Sequence, residues 1–203
     1  MELLLPEPSL VLLVGMSGCG KSTFAHRHFA PPEVVASDAC RLLVANDEAD
    51  QSATRDAFDV LHLIVDRRLR RGLLTVVDAT NVQREARRPL LELAAGAARP
   101  VIAIVLDLPV ELCAARNRAR TERCVDDAVL RVQRARLDRT LLELPAEGLR
   151  AVHVLRGALE VENATVRRVA SAVTPGTPAW RRPRPARAAG GGPRAARWWR
   201  PPR

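Results

Sequence analysis

The sequence predicts an α/β domain built on a parallel sheet, and three observations carry that prediction. Short, β-rich apolar runs recur at 10–14, 34–36, 73–77, 101–106 and 151–155 without polar alternation, the mark of strands buried on both faces. Segments of helical period lie between them, and strand–helix alternation means a three-layer α/β/α arrangement with right-handed crossovers. A hydrophobic share of 47% over 203 residues is enough for one core and excludes a wholly disordered chain.

Each helix has its own signal. Residues 21–30 form one that Pro31 and Pro32 stop, because proline lacks the N–H that a helix needs. Residues 55–71 set Phe58, Leu61, Val65 and Leu69 on one stripe and end at Gly72, a natural C-cap. Helices at 83–97, 109–119 and 126–143 follow, and one at 159–173 is expected to close the domain. The composition shifts at about residue 173. Residues 174–203 hold eight arginines, seven prolines, four glycines, three tryptophans and no acid, a mixture that cannot bury a core. The expected organisation is a folded domain at 1–173 and a disordered tail at 174–203.

The net charge of +9, from 32 basic and 23 acidic side chains, divides along the same boundary. Eight of the nine charges fall in the tail, so the domain is nearly neutral and the overall basicity says little about partners. One lysine stands among 31 arginines, and its place, Lys21, is chemical. No window approaches ~18 uninterrupted apolar residues, which excludes a membrane span. The N-terminus lacks the features of a signal peptide, so a cytoplasmic protein is expected. Cys19, Cys40, Cys113 and Cys124 form no C-x-x-C pair and read as reduced thiols.

The first strand runs into Gly15-Met16-Ser17-Gly18-Cys19-Gly20-Lys21-Ser22-Thr23, a match to G-x-x-x-x-G-K-S. The glycines let the backbone wrap closely enough for its N–H groups to cradle the phosphates of ATP. The candidate ATP contacts are therefore Gly15, Ser17, Gly18, Cys19, Gly20, Lys21, Ser22 and Thr23, with Cys19 a filler as a side chain. Lys21 can reach the β- and γ-phosphates, Ser22 can ligate Mg²⁺, and the next helix aims its N-terminus at the anion.

In an open parallel sheet the ligand lies beyond the carboxyl ends of the strands. The second strand ends in Ser37-Asp38-Ala39-Cys40-Arg41. Asp38 can accept the proton of a hydroxyl attacking the γ-phosphate; alternatively it is a helix N-cap. Arg41, three residues on, shares its face if a helix begins there and can hold an anionic part of the same substrate. The third strand ends in Asp78-Ala79-Thr80-Asn81. Asp78 is placed as the carboxylate that orients magnesium water beside Ser22, and Asn81 either contacts substrate or caps the next helix.

Arg116, Arg120 and Arg123 fall at i, i+4 and i+7, stacked on one helical face as an arginine-bearing lid over ATP that would stabilise charge in the transition state. Arg118 points elsewhere, and a solvated basic face is the competing reading. Asp47, Glu48 and Asp50 read as an acidic loop leading into a helix, not a metal cluster. His26, His28, His62 and His153 lack ligand spacing, and Asp107 receives no role.

Residues 1 to about 170 resemble the kinase module of bacterial polynucleotide kinase-phosphatase, through the GMSGCGKST loop, VVASDACR, TVVDATNVQ, VIAIVLDLP and RNRARTER taken in order. The resemblance implies transfer of the ATP γ-phosphate to 5′-hydroxyl ends of RNA or DNA. It makes Lys21 and Ser22 the ATP and Mg²⁺ contacts, Asp38 the general base, Arg41 the grip on the phosphate beside the 5′-nucleoside, and Arg116, Arg120 and Arg123 the lid. The phosphatase and ligase-like domains of that family have no counterpart in these 203 residues.

Two other functions fit the same motifs: a small-molecule kinase, and a nucleotide-gated nucleic-acid-binding module without transfer. The tail reads either as an Arg/Trp-rich arm that holds nucleic acid or as a shifted reading frame. A homodimer is compatible with the sequence.

Overall fold

The computed structural model describes residues 1–119 and 125–170. Arg120 and Arg123 of the expected lid, Cys124 and the expected tail at 174–203 lie outside the described residues.

Strand β1 (Glu2–Glu7) stands apart from the main sheet. Strands β2 (Leu10–Val14), β3 (Val34–Ala36), β4 (Thr75–Asp78), β5 (Val101–Asp107) and β6 (Ala151–Arg156) form that sheet, in the order β3-β4-β2-β5-β6 and parallel throughout. Every residue of β2 is fully buried, as its unbroken apolar run requires. The helices are α1 (Lys21–His28), α2 (Ser37–Ala45), α3 (Thr54–Arg70), α4 (Arg84–Gly96), α5 (Val110–Arg118), α6 (Asp127–Glu143) and α7 (Ala158–Asn163).

The chain leaves β2 in one direction to reach β3 and then works back across the sheet. With right-handed crossovers α1 covers one face, and α3, α4 and the α5–α6 pair cover the other. The connections around β2 therefore diverge at its carboxyl end, which is where a crevice opens in such sheets.

Helix boundaries follow local chemistry. α1 stops two residues earlier than expected: Phe29 is already extended, and Ala30, forced toward extended backbone by the following proline, opens a 3₁₀ turn at Pro31–Glu33. On α3, Leu61, Val65 and Leu69 face inward as expected, with Ala57 fully buried ahead of them and Phe58 half-buried.

The helix expected at 159–173 is not formed. α7 ends at Asn163, and Thr165–Ala170 is a strand, β7, paired in parallel with β1. β1 itself has no counterpart in the sequence prediction. Its alternation buries Leu3 and Leu5 completely while Leu4 stays 42% exposed. Arg167 bonds Glu2 at 2.9 Å and Arg168 bonds Glu33 at 2.7 Å. The β-branched Thr165, Val166 and Val169 suit a pleated, half-buried surface, and the partner that decides their conformation lies more than 160 residues away. Among the described residues no helix is long and apolar enough to cross a membrane.

Candidate active site

The loop between β2 and α1 is held shut by its own glycines. Gly20 caps α1 at φ +97°, and Gly18, at φ +80°, presses on α5 so tightly that a Cβ would sit 2.2 Å from the Cys113 carbonyl oxygen. No side chain fits there. Lys21 is buried over the loop, its Nζ donating to the Gly15 carbonyl at 3.0 Å and the Met16 carbonyl at 2.8 Å. The Gly15 N–H donates to the Thr80 carbonyl at 3.0 Å, tying the loop to the end of β4. Cys19 and Cys113 are fully buried beside it, and burial pushes the Cys113 thiol up to about 12.

The second strand feeds directly into α2. Ala36 is the N-cap residue, so Asp38 sits inside the first turn and does not cap the helix. The expected i, i+3 relation with Arg41 holds: Nη1 of Arg41 donates to Oδ1 of Asp38 at 2.7 Å, and the Ser37 hydroxyl donates to the same oxygen at 3.2 Å. Arg41 is 5% exposed. Its Nη1 also donates to the Glu48 carbonyl at 3.1 Å, while its Nε is buried without a hydrogen-bond partner. Burial pushes this guanidinium down from its ordinary pKa, and the carboxylates of Glu48 and Asp50 oppose that shift. The acidic loop thus balances a buried cation, and no cluster of metal-ligating side chains occurs among the described residues.

Ser17, Lys21, Ser22, Ser37, Asp38, Asp78 and Thr80 line a single narrow cleft. The carboxyl ends of β3 and β4 thereby meet the phosphate loop, as the topology demands. Ser22 and Asp78 are hard oxygen donors on that wall, a set that fits Mg²⁺ supplemented by phosphate oxygens and water.

On the other side of the loop lies a cavity of about 260 Å³ lined by Gly20, Thr23, Phe24, Arg27, Arg116 and Val161 among others. An aromatic ring, apolar side chains and guanidiniums suit a nucleobase and its phosphates. Arg116 reaches it from α5, within 3.8 Å of the position a Cβ on Gly20 would take. Arg118, by contrast, pairs with Asp127 at the surface at 3.1 Å.

Asn81 neither caps α4, whose N-cap is Gln83, nor faces the cleft. It is 2% exposed, at φ +49°, and its Nδ2 donates to the Leu13 carbonyl at 2.8 Å. That bond stitches the end of β4 to β2, so the placement expected from sequence is replaced by a structural one.

Three residues of this region left no signature in the sequence. Arg87 is fully buried, bonds both carboxylate oxygens of Glu147 and donates to the Asn81 carbonyl at 2.8 Å. Thr140 on α6 accepts from Arg87 at 3.1 Å and donates to the Val82 carbonyl at 2.8 Å. Gln133 on α6 accepts from the Ser17 N–H at 2.8 Å. Asp107 proves structural, pairing with Arg134 of α6 at 2.7 Å. His28 and His62 pack on Phe24 and Phe58.

A family model described as an AAA domain matches residues 10–140, which takes in the phosphate loop, α2, the end of β4, Arg116 and most of α6. The chain belongs to this AAA-domain family. Its fold is P-loop kinase-like. Among solved structures it is similar to a chain of the Pnkp1/Rnl/Hen1 RNA repair complex, with 23% identity, a TM-score of 0.59, and coverage of 68% of this chain and 47% of that one. It therefore spans about half of that relative. A putative kinase from Chloroflexus aurantiacus is 16% identical with a TM-score of 0.52, over 73% of this chain and 88% of that one. The PezAT toxin–antitoxin system of Streptococcus pneumoniae is 15% identical with a TM-score of 0.58, over 76% and 70%. No curated protein matches the sequence. At these identities the AAA-domain chain shares a fold with each of them and no more.

Proposed function

We propose that the chain is an ATP-dependent phosphotransferase that moves the γ-phosphoryl group to the 5′-hydroxyl end of RNA or DNA. The observation that carries this reading is the cleft itself. A carboxylate, Asp38, shares one narrow wall with Lys21 and Ser22 of the phosphate loop. A hydroxyl seated there stands between a proton acceptor and the γ-phosphate. Asp38 takes the hydroxyl proton as the new O–P bond forms. The bond from Pγ to the bridging oxygen breaks, and ADP leaves with its electron pair. Lys21 and the loop N–H groups hold the phosphates, and Arg116 adds a guanidinium from the nucleoside side. Ser22 and Asp78 would hold Mg²⁺, which neutralises charge on the phosphates when bound.

The polynucleotide acceptor draws support from Arg41. Its guanidinium pairs with Asp38 and its buried Nε lacks a partner, which leaves one charged donor beside the proposed base, the role that the resemblance gives Arg41 toward the phosphate next to a 5′-nucleoside. The ordered motifs SDxxR and DATN and the likeness to the RNA repair chain point the same way. Incubation with γ-labelled ATP and 5′-hydroxyl RNA or DNA tests the reading. Label on the oligonucleotide end is expected. Label that appears only on small metabolites transfers the assignment to a small-molecule kinase, and an oligonucleotide left unlabelled overturns the acceptor.

A further inference from the structure

We propose that Gln133 contacts the transferred phosphoryl group, so that the carboxamide of α6 distinguishes a nucleoside triphosphate from a diphosphate. The inference rests on the phosphotransfer reading above and assigns a residue that neither the motifs nor the resemblance singles out.

The bond from the Ser17 N–H to Gln133 Oε1, at 2.8 Å, joins the phosphate loop to a helix 116 residues further along the chain. Ser17 lies on the wall shared with Lys21 and Asp38, whereas the nucleoside-side cavity is lined by Gly18, Cys19 and Gly20 and does not include it. Gly18 borders both spaces, so Ser17 is the loop residue that belongs to the cleft alone, and Gln133 reaches the loop there.

The orientation of the carboxamide follows from chemistry. A backbone N–H can only donate, so the atom facing Ser17 has to be the amide oxygen, and the usual ambiguity between amide oxygen and nitrogen is removed. The planar group then directs its NH₂ away from Ser17, and that nitrogen has no hydrogen-bond partner among the described residues. Two N–H donors beside a phosphate site match the acceptor-only oxygens of a phosphoryl group.

The helix that carries Gln133 is anchored directly beyond it. The next residue, Arg134, bonds Asp107 at the end of β5 at 2.7 Å, and Thr140 bonds the Val82 carbonyl beyond β4 at 2.8 Å. Together with Gln133 on the loop after β2, α6 grips three neighbouring strand ends. Such a brace holds the carboxamide in place before nucleotide arrives, which is how a donor becomes selective.

Gln133→Glu separates this role from a purely structural one. The carboxylate still accepts from Ser17, more strongly than an amide does, but it has no donor and repels phosphate. Calorimetric titration of the full chain with MgATP and MgADP reads the difference. The expected result is ATP affinity weakened by about ten-fold or more with ADP affinity within about three-fold of the parent, and Gln133→Ala shifted in the same direction by less. Equal effects on both nucleotides, or none, make Gln133 a prop for the loop and overturn the proposal. The ATP-to-ADP ratio is read without an acceptor. A parent that binds ATP yet labels no hydroxyl therefore sinks the phosphotransfer reading separately.

Discussion

Replacing Arg87 by methionine removes the guanidinium but leaves its surroundings in place. The Arg87 side chain is 0% exposed and that of Glu147 is 3% exposed, so the substitution strands a carboxylate away from water. It also takes a donor from the Asn81 carbonyl and from Thr140. Breaking a buried pair by removing one partner costs about 3–5 kcal/mol, and domains of this size melt about 2–4 °C lower per kcal/mol. The two figures together place the melting temperature of Arg87→Met about 6–20 °C below the parent. Replacing both members, Arg87→Met with Glu147→Leu, removes the stranded charge and is expected to recover much of that loss, because well-packed apolar replacements of buried pairs are often near neutral. Thermal unfolding followed by circular dichroism of the three chains decides it. A single variant that melts within ~2 °C of the parent, or a double variant no more stable than the single, refutes the reasoning.

Asp38→Ala is expected to leave ATP binding intact and to slow phosphoryl transfer by ~10²-fold or more; transfer at the parental rate would remove Asp38 from the chemistry. Asp38 does not cap α2, but its removal takes the carboxylate from the buried Arg41 guanidinium, so the melting temperature should also fall, which unfolding curves check. Gly18→Ala places a methyl group 2.2 Å from the Cys113 carbonyl at φ +80°, so both the melting temperature and nucleotide affinity should fall; titration with ATP at unchanged affinity would contradict the packing described. Cys113, with a thiol at about 12, should resist iodoacetamide at pH 8 in the folded chain and react once the chain is unfolded, as peptide mass spectrometry would show.

The legibility of this fold varies with the range of the interactions behind it. The three central strands β2, β4 and β5 announce themselves because both of their faces are buried, and the half-buried edge strands β3 and β6 show the same kind of local apolar run. The phosphate loop is legible because glycine, lysine and serine are required there by geometry and charge. That Asp38 and Arg41 share a helical face could be read from spacing, whereas the ion pair between them emerges only in the fold. By contrast, β7 forms because β1 offers it an edge, and nothing near Thr165 reports that partner. Arg87 was equally hidden: among 31 arginines no local pattern tells a buried one from a solvated one. Gln133 belongs to no motif, and its distance from Ser17 in sequence leaves it without a signal until the fold brings the two together.

The same arginines show why net charge was a poor guide and side-chain satisfaction a better one. Six arginines among the described residues are buried or half-buried: Arg41, Arg68, Arg87, Arg99, Arg116 and Arg134. Four of them discharge their donors into the protein, Arg68 onto Leu74 and Thr75, Arg87 onto Glu147 and Asn81, Arg99 onto Leu69, Arg134 onto Asp107 and Asp138. Arg41 keeps an orphaned Nε, and Arg116 makes no hydrogen bond or ion pair within the described residues. Arg41 is paired with Asp38 yet keeps one donor over, and a buried donor without a partner is costly. Arg116 lies beside the phosphate loop at Gly20, and Arg41 is bonded to Asp38 of the cleft. On the proposed reading, a nearly neutral domain would take a polyanionic nucleotide and a phosphodiester strand with two placed guanidiniums and one lysine. Its affinity for the strand should depend on salt far less steeply than that of a protein covered in basic charge.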